Sequence, residues 1–378
     1  MNLFANVHGL VLEALASLQS TRALPEGLDF KNVTVEAPRD SSHGDMSTNA
    51  AMILAKQAKM RPREIADLLL KKLASNTQIE HIEVAGPGFL NLTLSKNIWL
   101  EAIPQIVKLN KEFGRSSIGK EKRVNVEFVS ANPTGPIHVG HTRGAVFGDA
   151  LANLLGFAGY NVTREYYIND GGAQIDVLAR SVYLRYLEAN GIAVEFIEGT
   201  YPGEYLIPVG ESLKEGFGDV FVEADEAEWL PKFRAHAVRS MMELIESDLL
   251  SLGIKMDVFY SEKSLYGTGR IETALEELSA KGLIYEGYLD PPKGKLPEDW
   301  EPRKQTLFRS SEYGDDVDRP IKKSDGQWTY FAPDIAYHYD KISRKFDHLI
   351  NIFGADHGGY VKRMKAAVRA LSNDDITL

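Results

Sequence analysis

The sequence predicts an α/β fold built on a parallel sheet, interrupted by a large insertion and preceded by a small α+β unit. Three observations lead there. Residues 123–168 read β-rich, then helical, then β-rich again. The scheme returns at 333–371 as helix, strand and helix, with a long span between the two halves. Ahead of both lies a segment in which helical and alternating patterns follow one another without that strand–helix–strand order. At 378 residues the chain has room for two or three domains.

Taken in order, Leu3, Val7, Leu10, Val11, Ala14, Leu15 and Leu18 recur at the spacing of a helix with one buried face. A second helix is predicted over 61–74, with Pro62 near its start, where a missing N–H costs nothing. Residues 81–95 alternate like two short strands bent at Gly86, Pro87 and Gly88. The Gly-, Ser- and Lys-rich run 113–123 has linker composition and ends this unit.

The run 123–130 then reads as a strand, 140–159 as a helix and 161–168 as a strand. A right-handed crossover between parallel strands brings their carboxyl ends and the helix N-terminus to one rim. A long helix is expected around 229–250, a loop over 291–306 and a hairpin over 307–331. The second half supplies a helix opening near 333, a strand at 348–354 and a helix over 359–371.

Composition removes several classes of function. With 44% hydrophobic and 25% charged residues the chain is of ordinary globular make-up. No window reaches the length of an apolar membrane span, and the first residues lack a basic front and cleavage site, so a cytoplasmic protein with no membrane partner is expected. Cysteine is absent, which excludes disulfides, thiolate nucleophiles and cysteine-ligated zinc. A net charge of -10 argues against an indiscriminate nucleic-acid coat, so a polyanion would have to meet local patches. The basic runs 56–72, 108–123 and 362–369 are candidates, and solvated helix faces are the alternative for each.

The most informative stretch is PTGPIHVGH, residues 133–141, where the first strand hands over to the helix. A helix N-terminus offers unpaired N–H groups and the positive end of the dipole, so it attracts phosphate. Gly140 allows close backbone approach, and His138 and His141 would project toward one anion as imidazole donors. Helix capping or packing also accounts for two such histidines. Zinc ligation fits less well, since no third ligand stands at the usual spacing and no metal site is expected. Neither a Walker loop nor a G-x-G-x-x-G fingerprint occurs.

With its neighbours 125–145, 166–175 and 330–341, this stretch resembles bacterial arginyl-tRNA synthetases, class I enzymes whose HIGH signature would here read HVGH. The resemblance covers the whole chain. It implies a Rossmann-like, HIGH-type nucleotide-binding parallel sheet with an inserted domain. The additional N-terminal domain, residues 1–115, would contact the tRNA elbow. The catalytic domain would occupy 116–190 and 326–378, with a connective insertion at 191–325.

The resemblance also implies roles. His138 and His141 would serve catalysis, and Pro133, Gly135, His138, Gly140 and His141 would hold ATP, which arrives with Mg2+. Glu127, Tyr330 and Asp334 would receive the arginine guanidinium, with Ser130 and Asn132 near the α-amino and α-carboxyl groups and His141 and Asp356 also lining the arginine site. Glu127 lies in a strand that reads as buried, where an unpaired carboxylate costs several kcal/mol and a cationic ligand would remove the cost. Apart from the family, Asp334 reads as a helix cap or first-turn acid, Tyr330 as a core aromatic and 169–172 as a tight turn. The run 353–359 departs from the glutamine-containing versions of the family. L-arginine and tRNA(Arg) are the implied partners, and a monomer is expected. The family's lysine-bearing second signature and its anticodon-binding domain do not occur in these residues, so the chain reads as the N-terminal part of a longer enzyme, which need not turn over alone. Adenylyl transfer to another small acid, and a non-catalytic tRNA-binding module, are the rival readings.

Overall fold

The structure, a computed structural model, describes residues 2–289, 304–323 and 325–378, without the side chain of Asp356. Most of the loop expected at 291–306 therefore lies outside the described residues. The chain divides into two compact units, Met1–Arg115 and Ser116–Leu378.

In the first unit the apolar stripe read from the sequence becomes α1 (Leu3–Ser20), which buries Val7, Val11, Ala14, Leu15 and Leu18. After β1 (Val35–Glu36) and β2 (Met46–Thr48) come α2 (Ala50–Ala58) and α3 (Pro62–Leu73), then β3 (Ile79–Ala85), β4 (Phe89–Leu94) and α4 (Lys96–Leu109). The four strands form an antiparallel sheet in the order β1-β2-β4-β3. Val11, Leu15, Leu54, Ile65, Leu69 and Leu90 share one core, and each such side chain contributes about 1.5–3 kcal/mol when fully buried. The bend between β3 and β4 needs Gly88: its φ is +147°, and a Cβ there would stand 2.8 Å from that of Pro62. The sequence reading lacks β1, β2, α2 and α4. The two strands are two and three residues long, too short for an alternating pattern, and Pro104 inside α4 breaks a helical signature.

The second unit opens with β5 (Arg123–Glu127), α5 (Val139–Phe157) and β6 (Asn161–Ile168). Then come α6 (Gln174–Ala189), α7 (Ile207–Phe217), α8 (Glu226–Ser251), β7 (Val258–Ser261) and α9 (Arg270–Ala280). The chain continues through β8 (Ile284–Gly287), β9 (Gln305–Phe308), β10 (Arg319–Pro320), α10 (Phe331–Ser343), β11 (His348–Asn351) and α11 (Gly358–Ser372). The main sheet is parallel throughout, in the order β11-β5-β6-β7.

Strand β7 falls inside the span expected to be an insertion, so 191–325 does not stand wholly apart from the sheet. Four residues of intermediate exposure carry no alternation to reveal it. The expected hairpin at 307–331 is a looser arrangement, in which β9 pairs antiparallel with both β10 and β8.

Helix α5 lies against β5 and β6 through small residues. A Cβ on Gly148 would come within 2.2 Å of the Phe128 ring, so only glycine permits that approach. The long α8 serves two cores. Its Trp229, Phe233, Ala237 and Met241 pack with α6 and α7, while Ile245 and Leu249 join Val124, Val126, Phe128 and Tyr166. Helices α9, α10 and α11 share a third core around Ile271, Leu278, Ile335 and Met364.

Candidate active site

Parallel pairing sets Glu127, the last residue of β5, beside Glu165 of β6 on one side and Asn351 of β11 on the other. Both acids are buried. Two cations three residues apart at the end of α10, Lys341 in its last turn and Arg344 as its C-cap, answer them. Lys341 Nζ donates to Glu127 Oε2 at 2.6 Å and to Asn351 Oδ1 at 3.0 Å. Arg344 donates to both oxygens of Glu165 at 2.6 and 2.8 Å, joined by the Tyr337 hydroxyl at 2.7 Å and Asn125 Nδ2 at 2.8 Å. Burial pushes the Glu165 carboxyl up, but Arg344, Lys341 and Tyr337 together outweigh it and hold it below the ordinary value. The expectation of an unpaired Glu127 awaiting a cationic ligand is thereby corrected: the protein supplies Lys341, which is itself fully buried.

The predicted strand 123–130 ends early because the backbone turns sharply after Phe128. Val129 has φ +67° and Ser130 φ +42°, a left-handed region that a β-branched residue enters only under constraint. The constraints are visible. Ser130 Oγ donates to Glu127 Oε1 at 3.1 Å and accepts from the Tyr167 N–H at 3.1 Å, while the Tyr166 hydroxyl donates to the Ala131 carbonyl at 2.8 Å. Beyond the turn, Asn132 Nδ2 donates to Gln174 Oε1 at 2.8 Å, and the Tyr205 hydroxyl donates to the Thr134 carbonyl at 2.8 Å. Pro133 is buried, and a Cβ on Gly135 would meet the Tyr205 oxygen at 3.0 Å, so this loop lies tightly under that ring.

His138 is the N-cap of α5. Its Nδ1 accepts from the Gly140 N–H at 3.1 Å, and its own N–H points to His141 Nδ1 at 3.4 Å. The two rings stack with centroids 3.8 Å apart. Capping and anion binding are thus not rival roles here. With both δ nitrogens accepting, each neutral ring carries its proton on Nε2, leaving two imidazole N–H groups beside the positive end of the helix. Burial, then the neighbouring His138, lowers the His141 pKa and favours that neutral form.

A second cluster surrounds Tyr167. Asp334, in the first turn of α10, accepts a hydrogen bond from the Tyr360 hydroxyl of α11. Burial pushes its carboxyl up to about 7, with the charges of Glu262 and Glu127 adding to the rise and the Tyr360 hydrogen bond and Arg363 opposing it. Glu262, just beyond β7, is buried and likewise raised by burial, with Asp170 contributing, while it accepts from the Tyr266 hydroxyl at 2.9 Å. Burial raises the Tyr167 phenol well above its ordinary range, and Asp334, Glu262 and Glu127 raise it further, so the ring stands among all three acids. Tyr337 and Tyr260 pack beside it, at 4.5 and 6.4 Å between ring centroids. A buried and a half-buried acid that resist ionisation, walled by aromatic rings, suit a planar cation with several N–H donors.

Of the predicted residues, Glu127, Ser130 and Asp334 meet around Tyr167, while Asn132, Pro133 and Gly135 lie on the loop that leads to His138 and His141. Tyr330 is no core aromatic: it is the N-cap residue of α10, 81% exposed. The turn 169–172 lies beside the acids, since a Cβ on Gly171 would reach 3.2 Å from the Glu262 carboxyl, and Asp170 ties it to β7 by accepting from Ser261 Oγ at 2.6 Å. Asp356 lies in a short helical turn, Ala355–His357, with its side chain outside the description. Sequence reasoning missed Glu262, Lys341, Tyr167, Gln174 and Tyr205. The basic run 362–369 proves largely occupied: Lys362 pairs with Asp316, Arg369 with Asp374, and Arg363 lies over the Tyr360 ring.

Comparison with known proteins gives a consistent picture. Residues 5–94 match the family described as arginyl tRNA synthetase N terminal domain, and residues 102–375 match that of tRNA synthetases class I (R), catalytic domain. The chain is 68% identical to an arginine–tRNA ligase of Ruegeria pomeroyi over all 378 residues, covering 65% of that protein. It is 66% identical to one of a Jannaschia species, covering 66%. It therefore spans about two-thirds of the length of the curated relatives it matches. The arginyl-tRNA synthetase structure from Thermus thermophilus superposes with a TM-score of 0.67 at 19% identity, over 99% of this chain and 65% of that one, and so supports the fold.

Proposed function

The chain belongs to the class I arginyl-tRNA synthetase family, and from that premise we propose that it is the part of an arginine–tRNA ligase that binds ATP and L-arginine, joins them as arginyl-adenylate and passes the arginyl group to tRNA(Arg). The observation that carries the reading is the pair of raised-pKa acids, Asp334 and Glu262, gathered around Tyr167 in a unit that also carries a histidine-capped helix N-terminus. The acids suit the guanidinium, with Tyr330 at the mouth. Ser130 and Asn132 suit the α-amino and α-carboxyl groups, and Asp356 keeps its proposed place in the arginine site. The loop through Pro133 and Gly135, with Gly140 and the Nε2–H groups of His138 and His141, suits the phosphates.

The arginine carboxylate attacks the α-phosphorus, pyrophosphate leaves, and the terminal ribose hydroxyl of the tRNA later displaces AMP from the carbonyl carbon. Negative charge grows on phosphoryl oxygens in the first step, so position and hydrogen-bond donors matter more than a strong base. Magnesium enters as the counter-ion of ATP. We assign 1–115 to tRNA contact, 116–190 and 326–378 to the catalytic domain and 191–325 to the connective region, in a cytoplasmic monomer.

The test is competition among non-hydrolysable adenylate analogues. Arginyl-sulfamoyl adenosine should bind this chain at least about 100-fold more tightly than the lysyl or seryl analogue. Equal affinities would favour adenylyl transfer to another acid, and no binding to a folded chain would favour the tRNA-binding reading.

A further inference from the structure

The pocket holds a cation that no part of the reaction requires as a reactant. Lys341 is fully buried, 2.6 Å from Glu127, and its ammonium lies 4.4 Å from the centroid of the Tyr337 ring. Glu127 therefore presents an acceptor whose second oxygen, Oε1, faces Ser130. A serine hydroxyl has one proton and two lone pairs. Here the proton goes to Glu127 at 3.1 Å, and one lone pair accepts the Tyr167 N–H at 3.1 Å. One lone pair remains, and the left-handed turn at Val129 and Ser130 fixes the oxygen that carries it.

We infer that Lys341 is a positioning residue for the amino-acid substrate: by holding Glu127 as an acceptor it commits the Ser130 proton inward, so that Ser130 receives the substrate α-ammonium and does not donate to it. The inference rests on the assignment of Ser130 to the α-amino group given above. Lys341 acts through two side chains and touches no substrate. Without it, nothing fixes the orientation of the Glu127 carboxylate, and Ser130 can turn its hydrogen outward, where it repels an ammonium.

The experiment is a cycle between protein and ligand. Arginine, 5-guanidinopentanoate (which lacks the α-amino group) and agmatine (which lacks the carboxylate) are titrated calorimetrically into the wild-type chain and into Ser130→Ala, Lys341→Met and Glu127→Met/Lys341→Met. The double variant replaces the buried ion pair with apolar groups of similar size, a change that folds tolerate, and so covers the case in which Lys341→Met alone does not fold. Wild type should prefer arginine to 5-guanidinopentanoate by about tenfold or more. That ratio should fall toward one in every variant, while the ratio of arginine to agmatine stays within about twofold of wild type. A purely structural lysine would move all three ligands together. An arginine-to-5-guanidinopentanoate ratio preserved in the folded Lys341 variants overturns the inference alone. A wild-type chain with no such preference overturns the α-amino assignment as well.

Discussion

The Tyr360 hydroxyl of α11 donates to the Asp334 carboxylate of α10, and burial still pushes that carboxyl up to about 7. A raised acid is protonated below its pKa, and a cation binds it only after the proton leaves. Arginine affinity should therefore rise with pH, by up to about tenfold per unit below 7, and level off above. Calorimetry at pH 6, 7 and 8 in buffers of different ionisation heat reads both the affinity and the released proton, and Asp334→Asn should flatten the profile. The sign for folding is the reverse. The native state keeps a proton that the unfolded chain has lost between about pH 4 and 7, so this group's contribution to stability falls as pH rises through that window.

Asp334→Asn and Glu262→Gln should each weaken arginine binding by about 30-fold or more, the usual loss when one partner of a desolvated charge pair is neutralised. ATP affinity should stay within about threefold. Titration of each variant with both ligands checks the split, and equal losses would remove these acids from the guanidinium site.

The histidines have two roles that can be separated. His138→Ala removes the N-cap of α5 and should lower stability by about 1 kcal/mol, whereas His138→Asn restores a good cap. Both should weaken binding of the adenylate analogue by roughly tenfold or more through loss of a phosphate donor. Recovery of analogue affinity in the asparagine variant would assign His138 to capping alone.

How much of this was legible beforehand depends on how local each feature is. The helix α5, the strands on either side of it and the HVGH histidines follow from spacing within about thirty residues, which is where periodicity and capping act. Glu127 reads as buried, and is, but no local pattern announces Lys341, 214 positions away, because pairing across a sheet and a helix is a tertiary fact. Glu262 was invisible for the same reason: an acid after a four-residue strand looks like any turn until β7 joins β6 and brings it to the rim. Only the alternative reading of Tyr330 as a core aromatic fails: an aromatic beside a buried helix start reads as core, yet its place ahead of the first turn of α10 leaves it outside.

Arg344→Met should be among the most destabilising substitutions, at about 3 kcal/mol, since it leaves the Glu165 charge inside the protein without its main partner. Denaturant titration checks this. Arg344 and its neighbours hold the Glu165 pKa below the ordinary value, so their contribution is present above that value and is lost as pH falls through the native one. The deficit of the variant should accordingly narrow toward acid pH.

A guanidinium pocket is tested most directly by calorimetric titration of the chain with L-arginine, alongside lysine and citrulline. Lysine keeps the charge without the planar fork, and citrulline keeps the shape without the charge. The expected result is saturable binding of arginine, with the other two weaker by about 100-fold, as befits loss of a bidentate charged contact. Binding of lysine or citrulline as tight as that of arginine, or none of arginine by a folded chain, would contradict the assignment of Asp334 and Glu262.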